Sequence, residues 1–237
     1  MSVTTIDARE RLIVALDVPA PDAARALAER LGDAACFYKV GLELLASGGS
    51  FEIVQWLAAR GHRVFADFKF FDIPETVRRA VANLRGRGVT FATVHGSRPM
   101  LEAAASAKGD VRILAVTVLT SMGAAELKEM GYGGTLEELV LARAKSALEC
   151  GCDGVIASGL EARMLKAEFG ERLLVVTPGI RPAAQGSADD QKRTVDVAQA
   201  FRNGADYIVV GRPIRDAADP RAAAQSIQRT IADAFAA

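Results

Sequence analysis

One unit recurs along the whole chain: a short apolar run, a turn, then a stretch with helical spacing. The runs are Leu12 to Asp17, Phe37 to Val40, Val64 to Lys69, Phe91 to His95, Ile113 to Leu119, Gly154 to Ala157, Leu173 to Thr177 and Tyr207 to Val210. Leu-Ile-Val-Ala-Leu, Ile-Leu-Ala-Val-Thr-Val-Leu and Leu-Leu-Val-Val are nearly continuous in apolar residues, as parallel strands covered on both faces require. Between the runs, Pro21 to Leu31 places Ala24, Leu27, Ala28 and Leu31 on one helical face, and Phe51 to Ala59 does the same with Ile53, Val54 and Leu57. Eight strand-helix units in 237 residues predict the α/β class and a (β/α)₈ TIM barrel, whose usual size is about 250 residues. An open doubly wound sheet normally carries a glycine-rich first turn, and Asp17-Val18-Pro19-Ala20-Pro21 contains no glycine. No linker or repeat divides the sequence, so residues 1–237 are expected to form one barrel domain, with 1–10 as an N-terminal extension.

A barrel of this kind builds its site at the C-terminal ends of its strands, and the residues there are polar. Asp17 ends the first run, Lys39 lies in the second, Asp67 and Lys69 in the third, His95 ends the fourth, and Thr120-Ser121 follows the fifth. The two-residue period of a strand sends Asp67 and Lys69 to one face and Phe68 to the other. Asp72 follows, before a helix that Pro74 can open, and either leans back toward Lys69 or reaches outward. A solvated ion pair and a helix-start aspartate are the plainer reading of this stretch. After the seventh run comes Pro178-Gly179-Ile180-Arg181-Pro182, then a polar loop reaching Asp190-Gln191-Lys192-Arg193, and after the eighth comes Gly211-Arg212-Pro213. Barrels hold phosphate at this place, with backbone N–H groups and arginine forks.

Composition narrows the function further. Lys plus Arg and Asp plus Glu number 29 each, so no overall basic field collects nucleic acid or an anionic membrane surface. Met1 to Arg11 lacks the apolar core of a signal peptide, and no apolar run has membrane-spanning length, which predicts a cytoplasmic protein. Cys36, Cys150 and Cys152 are an odd count suited to buried thiols in a reducing compartment. Cys150-Gly151-Cys152 is one residue short of a Cys-x-x-Cys pair. His95 is expected to pack or hydrogen-bond rather than catalyse, His62 to be structural or exposed, Phe70-Phe71 to pack the site wall or a subunit contact, and Trp56 to lie in the core or an interface.

Leu16-Asp17, Lys39-Val40-Gly41, Asp-x-Lys-x-x-Asp-Ile-Pro-x-Thr from Asp67 to Thr76, Val-Thr-Val-Leu-Thr-Ser from Val116 to Ser121, Thr-Pro-Gly-Ile-Arg-Pro and Gly-Arg-Pro occur in one order. In these motifs the chain resembles the orotidine 5′-phosphate decarboxylase family along nearly its whole length. The resemblance implies a cofactor-free and metal-free carboxy-lyase that turns orotidine 5′-phosphate into UMP and CO₂. Lys39, Asp67, Lys69 and Asp72 are its implied catalytic residues, with Lys69 as proton donor. Asp17 and Lys39 would hold ribose hydroxyls, Thr120 and Ser121 the pyrimidine edge, and Arg181, Gln191, Gly211 and Arg212 the phosphate. Gln185 competes with Gln191 for the phosphate contact. Asp67 and Ile73 complete the implied substrate contacts, and Phe71 stands where many relatives carry histidine. Asp72 and Thr76 would enter the neighbouring site of a homodimer.

The chemistry suits these residues. Loss of CO₂ from C6 leaves a carbanion poorly delocalised into the ring, and fixed charges must stabilise it. Two rivals share the barrel. A metal-dependent sugar-phosphate decarboxylase or aldolase is similar in its Asp-x-Lys-x-x-Asp strand, yet an ammonium at Lys39 would repel a divalent cation. A silent phosphate-binding barrel would need the arginines but not four interleaved charges.

Overall fold

A computed structural model describes residues 6–181 and 192–235. Gln185 and Gln191 lie outside the described residues. Eight parallel strands close into a barrel in sequence order: β1 (Leu12–Ala15), β2 (Phe37–Val40), β3 (Arg63–Phe70), β4 (Val89–Val94), β5 (Arg112–Val116), β6 (Gly154–Ile156), β7 (Leu174–Thr177) and β8 (Tyr207–Val210). β1 pairs with both β2 and β8, which completes the circle. Two strands, Phe37–Val40 and Tyr207–Val210, match their sequence-predicted bounds. Others differ at their ends: β5 stops at Val116, three residues before the apolar run does.

The period-2 alternation of each strand sorts its residues between two cores. Ile13, Phe37, Phe65, Phe91, Leu114 and Tyr207 point inward and fill the barrel. Neighbouring residues such as Val14, Tyr38, Val64, Ala92 and Ile113 point outward beneath the helices. The rings of Phe37 and Phe91 lie 5.2 Å apart, and Tyr207 meets Phe91 edge-on at 5.1 Å. Burying each of these side chains contributes roughly 2–3 kcal/mol, so the lower barrel is a packed plug. Ile6 packs against this inner core from the N-terminal end.

The helices follow from local signals. Pro21 opens the helix Pro21–Leu31, its Ala24, Leu27, Ala28 and Leu31 are buried, and Gly32 with φ of 53° ends it by donating its N–H to the Ala28 carbonyl. The helix Ser50–Ala58 buries Ile53, Val54 and Leu57 as the spacing predicts. Trp56 packs against the outer core with Arg60 stacked 3.9 Å from its ring. Among the described residues no helix is long and apolar enough to cross a membrane. All three cysteines are unpaired; Cys150 and Cys152 are buried, whereas Cys36 is only partly covered.

Candidate active site

The inward-facing rows change character one step above the aromatic plug. Lys39 follows Phe37 on β2 and Asp67 follows Phe65 on β3, so the parity that buries rings below carries charges into the mouth above. Asp17, just past β1, joins them. The Lys39 ammonium lies 2.8 Å from Asp17 Oδ1 and 3.4 Å from Asp67 Oδ2, and Lys69 Nζ lies 2.8 Å from Asp67 Oδ1. Four charges of alternating sign thus form one line, Asp17, Lys39, Asp67, Lys69. Gly41 is shaped by this line, since a Cβ there would come within 2.9 Å of Lys39 Nζ and 3.0 Å of Asp17 Oδ1.

Burial penalises both central charges, and their partners outweigh it. Burial alone would raise the Asp67 carboxyl, but the Lys39 and Lys69 ammoniums, with hydrogen bonds from Lys69 and Thr93, hold it below the usual aspartate range. Lys39 is the mirror case: burial would lower it, and Asp67 and Asp17 raise it above an ordinary lysine.

Asp72, expected as the fourth member, is not brought to this line within one chain. It is exposed, and its Oδ1 accepts the N–H of Ile73 at 2.7 Å. The helix Pro74–Ala82 begins immediately afterwards with Ile73 as its N-cap, which carries the segment away from the mouth. Ile73 and Thr76 are likewise exposed. Within the chain, Asp17 takes the fourth place.

A cavity of about 310 Å³ sits over the charge line, large enough for a small ligand. Asp17, Lys39, Asp67 and Lys69 line one side. Thr120, Ser121, Arg181, Gly211 and Arg212 also line it, so the predicted pyrimidine and phosphate residues share a single space with the charges. β7 stands across the barrel from β3, which puts Arg181 and Lys69 on opposite sides of the mouth. Ile180 and Val195 form a β-bridge, and Arg181 N–H donates to the Val195 carbonyl at 3.0 Å.

Three residues here escaped the sequence reading. Arg215 lines the cavity one helical turn from Arg212 and donates to the Asp17 carbonyl at 2.6 Å; the i, i+3 spacing was its available signal. Thr93 is fully buried and bonds Asp67. Glu161 pairs at 2.7 Å with Arg193, whose other nitrogen donates to the carbonyls of Val118 and Leu119 at 3.0 and 2.9 Å. Arg193 therefore turns inward to brace the strand-5 loop, although its place in a polar run pointed to the phosphate side.

The histidines are structural in their contacts. His62 meets Tyr38 edge-on at 5.1 Å, and His95 meets Phe71 at 5.6 Å. Phe70 packs against the outer core, while Phe71 is 66% exposed. Among the described residues no group of three or more His, Cys, Asp or Glu stands together in a metal-ligating arrangement.

Residues 10–227 match the model of the orotidine 5′-phosphate decarboxylase / HUMPS family. The chain belongs to that family. It is 59% identical over 237 residues to an orotidine 5′-phosphate decarboxylase of Methylococcus capsulatus, covering 100% of this chain and 98% of the relative. It is 55% identical over 232 residues to the enzyme of the same name from Stenotrophomonas maltophilia, covering 96% and 95%. Among solved structures, the Lactobacillus acidophilus orotidine 5′-phosphate decarboxylase superposes with a TM-score of 0.81 at 36% identity, over 94% of this chain and 99% of that one. These likenesses extend to the barrel as a whole, and the charged line lies within the matched residues.

Proposed function

We infer that the chain is a carboxy-lyase that releases CO₂ from orotidine 5′-phosphate and leaves UMP, the last step of de novo pyrimidine synthesis. The observation that carries this reading is the line Asp17, Lys39, Asp67, Lys69 beneath a cavity whose far rim holds Arg181 and Arg212. Lys69 stabilises the negative charge that develops at C6 when CO₂ departs, then gives C6 its proton. Asp67, itself neutralised by Lys39, holds Lys69 in place by charge, and Asp17 and Lys39 meet the ribose hydroxyls. Thr120 and Ser121 face the pyrimidine edge. Arg181, Arg212 and the backbone at Gly211 hold the phosphate, and the binding energy of this remote group aligns the reacting centre with the charges.

No step needs an electron sink, because preorganised charge meets the carbanion directly. The Lys39 ammonium lies between two carboxylates that would otherwise attract a cation, which argues against a metal-dependent sugar-phosphate chemistry on this barrel. The decisive assay is CO₂ release from orotidine 5′-phosphate with excess chelator present. Full turnover is the expected result. Loss of turnover on exhaustive chelation, with recovery on adding a divalent ion, sinks the metal-free reading.

The exposed Asp72, Ile73 and Thr76 suit a shared site in a cytoplasmic homodimer, each protomer lending Asp72 and Thr76 to its neighbour. Mixing an inactive Asp72→Ala protein with an inactive Lys69→Ala protein tests this. Random pairing of equal amounts makes half the dimers mixed with one intact site each, so activity should return to about a quarter of the parent's. If subunits exchange and the mixture stays inactive, Asp72 acts in its own chain.

A further inference from the structure

β3 and β4 pair in register at Ala66 and Ala92, and their next pair is Phe70 with Val94. Four steps along β3 therefore face two along β4, and Asp67, Phe68 and Lys69 oppose Thr93 alone, a bulge with two extra residues. Lys69 has a φ of 48°, the only positive value at a non-glycine position among the described residues. A side-chain-bearing residue is disfavoured in this left-handed region and stays there only where its surroundings over-determine it.

The group that does so is on the neighbouring strand. The Thr93 hydroxyl accepts the Lys69 backbone N–H at 2.9 Å and donates to Asp67 Oδ1 at 2.9 Å. Both directions are forced, because an amide nitrogen only donates and an ionised carboxylate only accepts. Asp67 Oδ1 is also the atom that Lys69 Nζ touches at 2.8 Å. One hydroxyl thus sets the backbone from which the lysine side chain springs and the carboxylate at which its ammonium ends. Thr93 is 0% exposed, so water does not compete for either bond.

We propose that Thr93 is a positioning residue for decarboxylation, holding Lys69 in its left-handed conformation and Asp67 in line with it. It does not reach the cavity, and it acts through the two residues it bonds. The inference rests on the role given above to Lys69. Its mechanistic content is geometric: without the hydroxyl, the bulge loses a tie that joins Lys69 to Asp67 by way of β4, and the ammonium is fixed less closely under C6.

The test compares Thr93→Val, which keeps the shape and removes the hydroxyl, with Thr93→Ser, which keeps the hydroxyl and removes a methyl. Thr93→Val should lower kcat at least about tenfold, as a misplacement of under an ångström does, while KM and the affinity for UMP stay within roughly threefold. Thr93→Ser should restore most of the lost kcat. Urea unfolding of each variant separates activity lost to unfolding from activity lost in folded protein. If Thr93→Val does not fold, Thr93→Ala and Thr93→Ser make the same comparison. A kcat for Thr93→Val within twofold of the parent overturns the proposal. So does a Thr93→Ser as slow as Thr93→Val, because the methyl and its packing would then be what matters. Lys69→Ala assayed alongside keeps the two readings apart: a nearly active Lys69→Ala defeats the catalytic role itself, whereas an inactive Lys69→Ala beside an active Thr93→Val defeats only the positioning role.

Discussion

Lysine-aspartate pairs occur at both ends of this barrel and are wired differently. At the N-terminal end, Lys166 Nζ lies 2.9 Å from Asp206 Oδ2, and that oxygen also accepts the Val175 N–H at 2.7 Å. Lys108 Nζ lies 2.9 Å from Asp153 Oδ1, whose second oxygen accepts the Ile113 N–H at 2.8 Å. Each of these carboxylates stitches the start of one strand to the strand before it, and the lysine neutralises it. At the C-terminal end, Lys39 faces Asp17 and Asp67, and Asp67 faces two ammoniums. Charges committed to backbone hold the barrel shut, whereas charges committed mainly to one another can be turned toward a ligand. An ion pair by itself therefore says little about function, and its remaining hydrogen bonds say more.

The electrostatics follow the wiring. Burial pushes the Asp206 carboxyl above its usual range in spite of Lys166 and the Val175 N–H. Burial acts the same way on Asp67, yet two lysines bring it below.

The largest expected contrast is between two lysines. Lys69→Ala should cost at least about 3 kcal/mol of transition-state stabilisation, roughly a hundredfold in kcat/KM, with further loss from the missing proton donor. Affinity for UMP, which lacks the developing charge, should be largely kept. Lys166→Met should do the reverse, costing about 3 kcal/mol of stability to urea because Asp206 is left buried without its ammonium, while folded protein keeps its kcat. Steady-state kinetics and urea titrations of the two variants check both halves. A Lys69→Ala enzyme within tenfold of the parent breaks the division between the two ends.

Arg212→Ala should fall between them. Losing a charged fork on phosphate weakens substrate and UMP binding while the charged line stays in place, so KM rises more than kcat falls. An unchanged KM for orotidine 5′-phosphate places the phosphate elsewhere.

The smallest contrast is in pH dependence. An aspartate held below its unfolded pKa, as Asp67 is, contributes stability that is present above about pH 3.9 and lost as pH falls through its folded value. Asp206, held above, contributes stability that is fully present below about pH 3.9 and lost as pH rises through its folded value. Stability differences between the parent and Asp67→Asn or Asp206→Asn, measured by urea across the acid range, should therefore slope in opposite directions. Equal slopes would mean that the two carboxylates feel the same environment.

The sequence by itself determined the barrel, because its signals are local. Near-continuous apolar runs give strands covered on both faces, helical spacing gives the helices between them, and Pro21 and Pro74 open helices where they are expected to. It also determined which residues reach the mouth, since Lys39 and Asp67 follow inward-facing Phe37 and Phe65 by one strand period. Tertiary structure decided how those residues are joined. A regular strand would have put Lys69 on the Asp67 face by alternation, and the structure does it through a bulge and a left-handed backbone that Thr93 on the next strand stabilises. Asp17 closes the charge line in place of Asp72 because the helix at Pro74 leads Asp72 outward. Arg193, at the end of a polar loop, is drawn inward by Glu161 from a different βα loop. Asp153 and Asp206 look like ordinary loop residues until the barrel closes and sets their oxygens against neighbouring strand amides. The pairings among these depend on partners far apart in the chain, and such pairings leave no periodic trace in sequence.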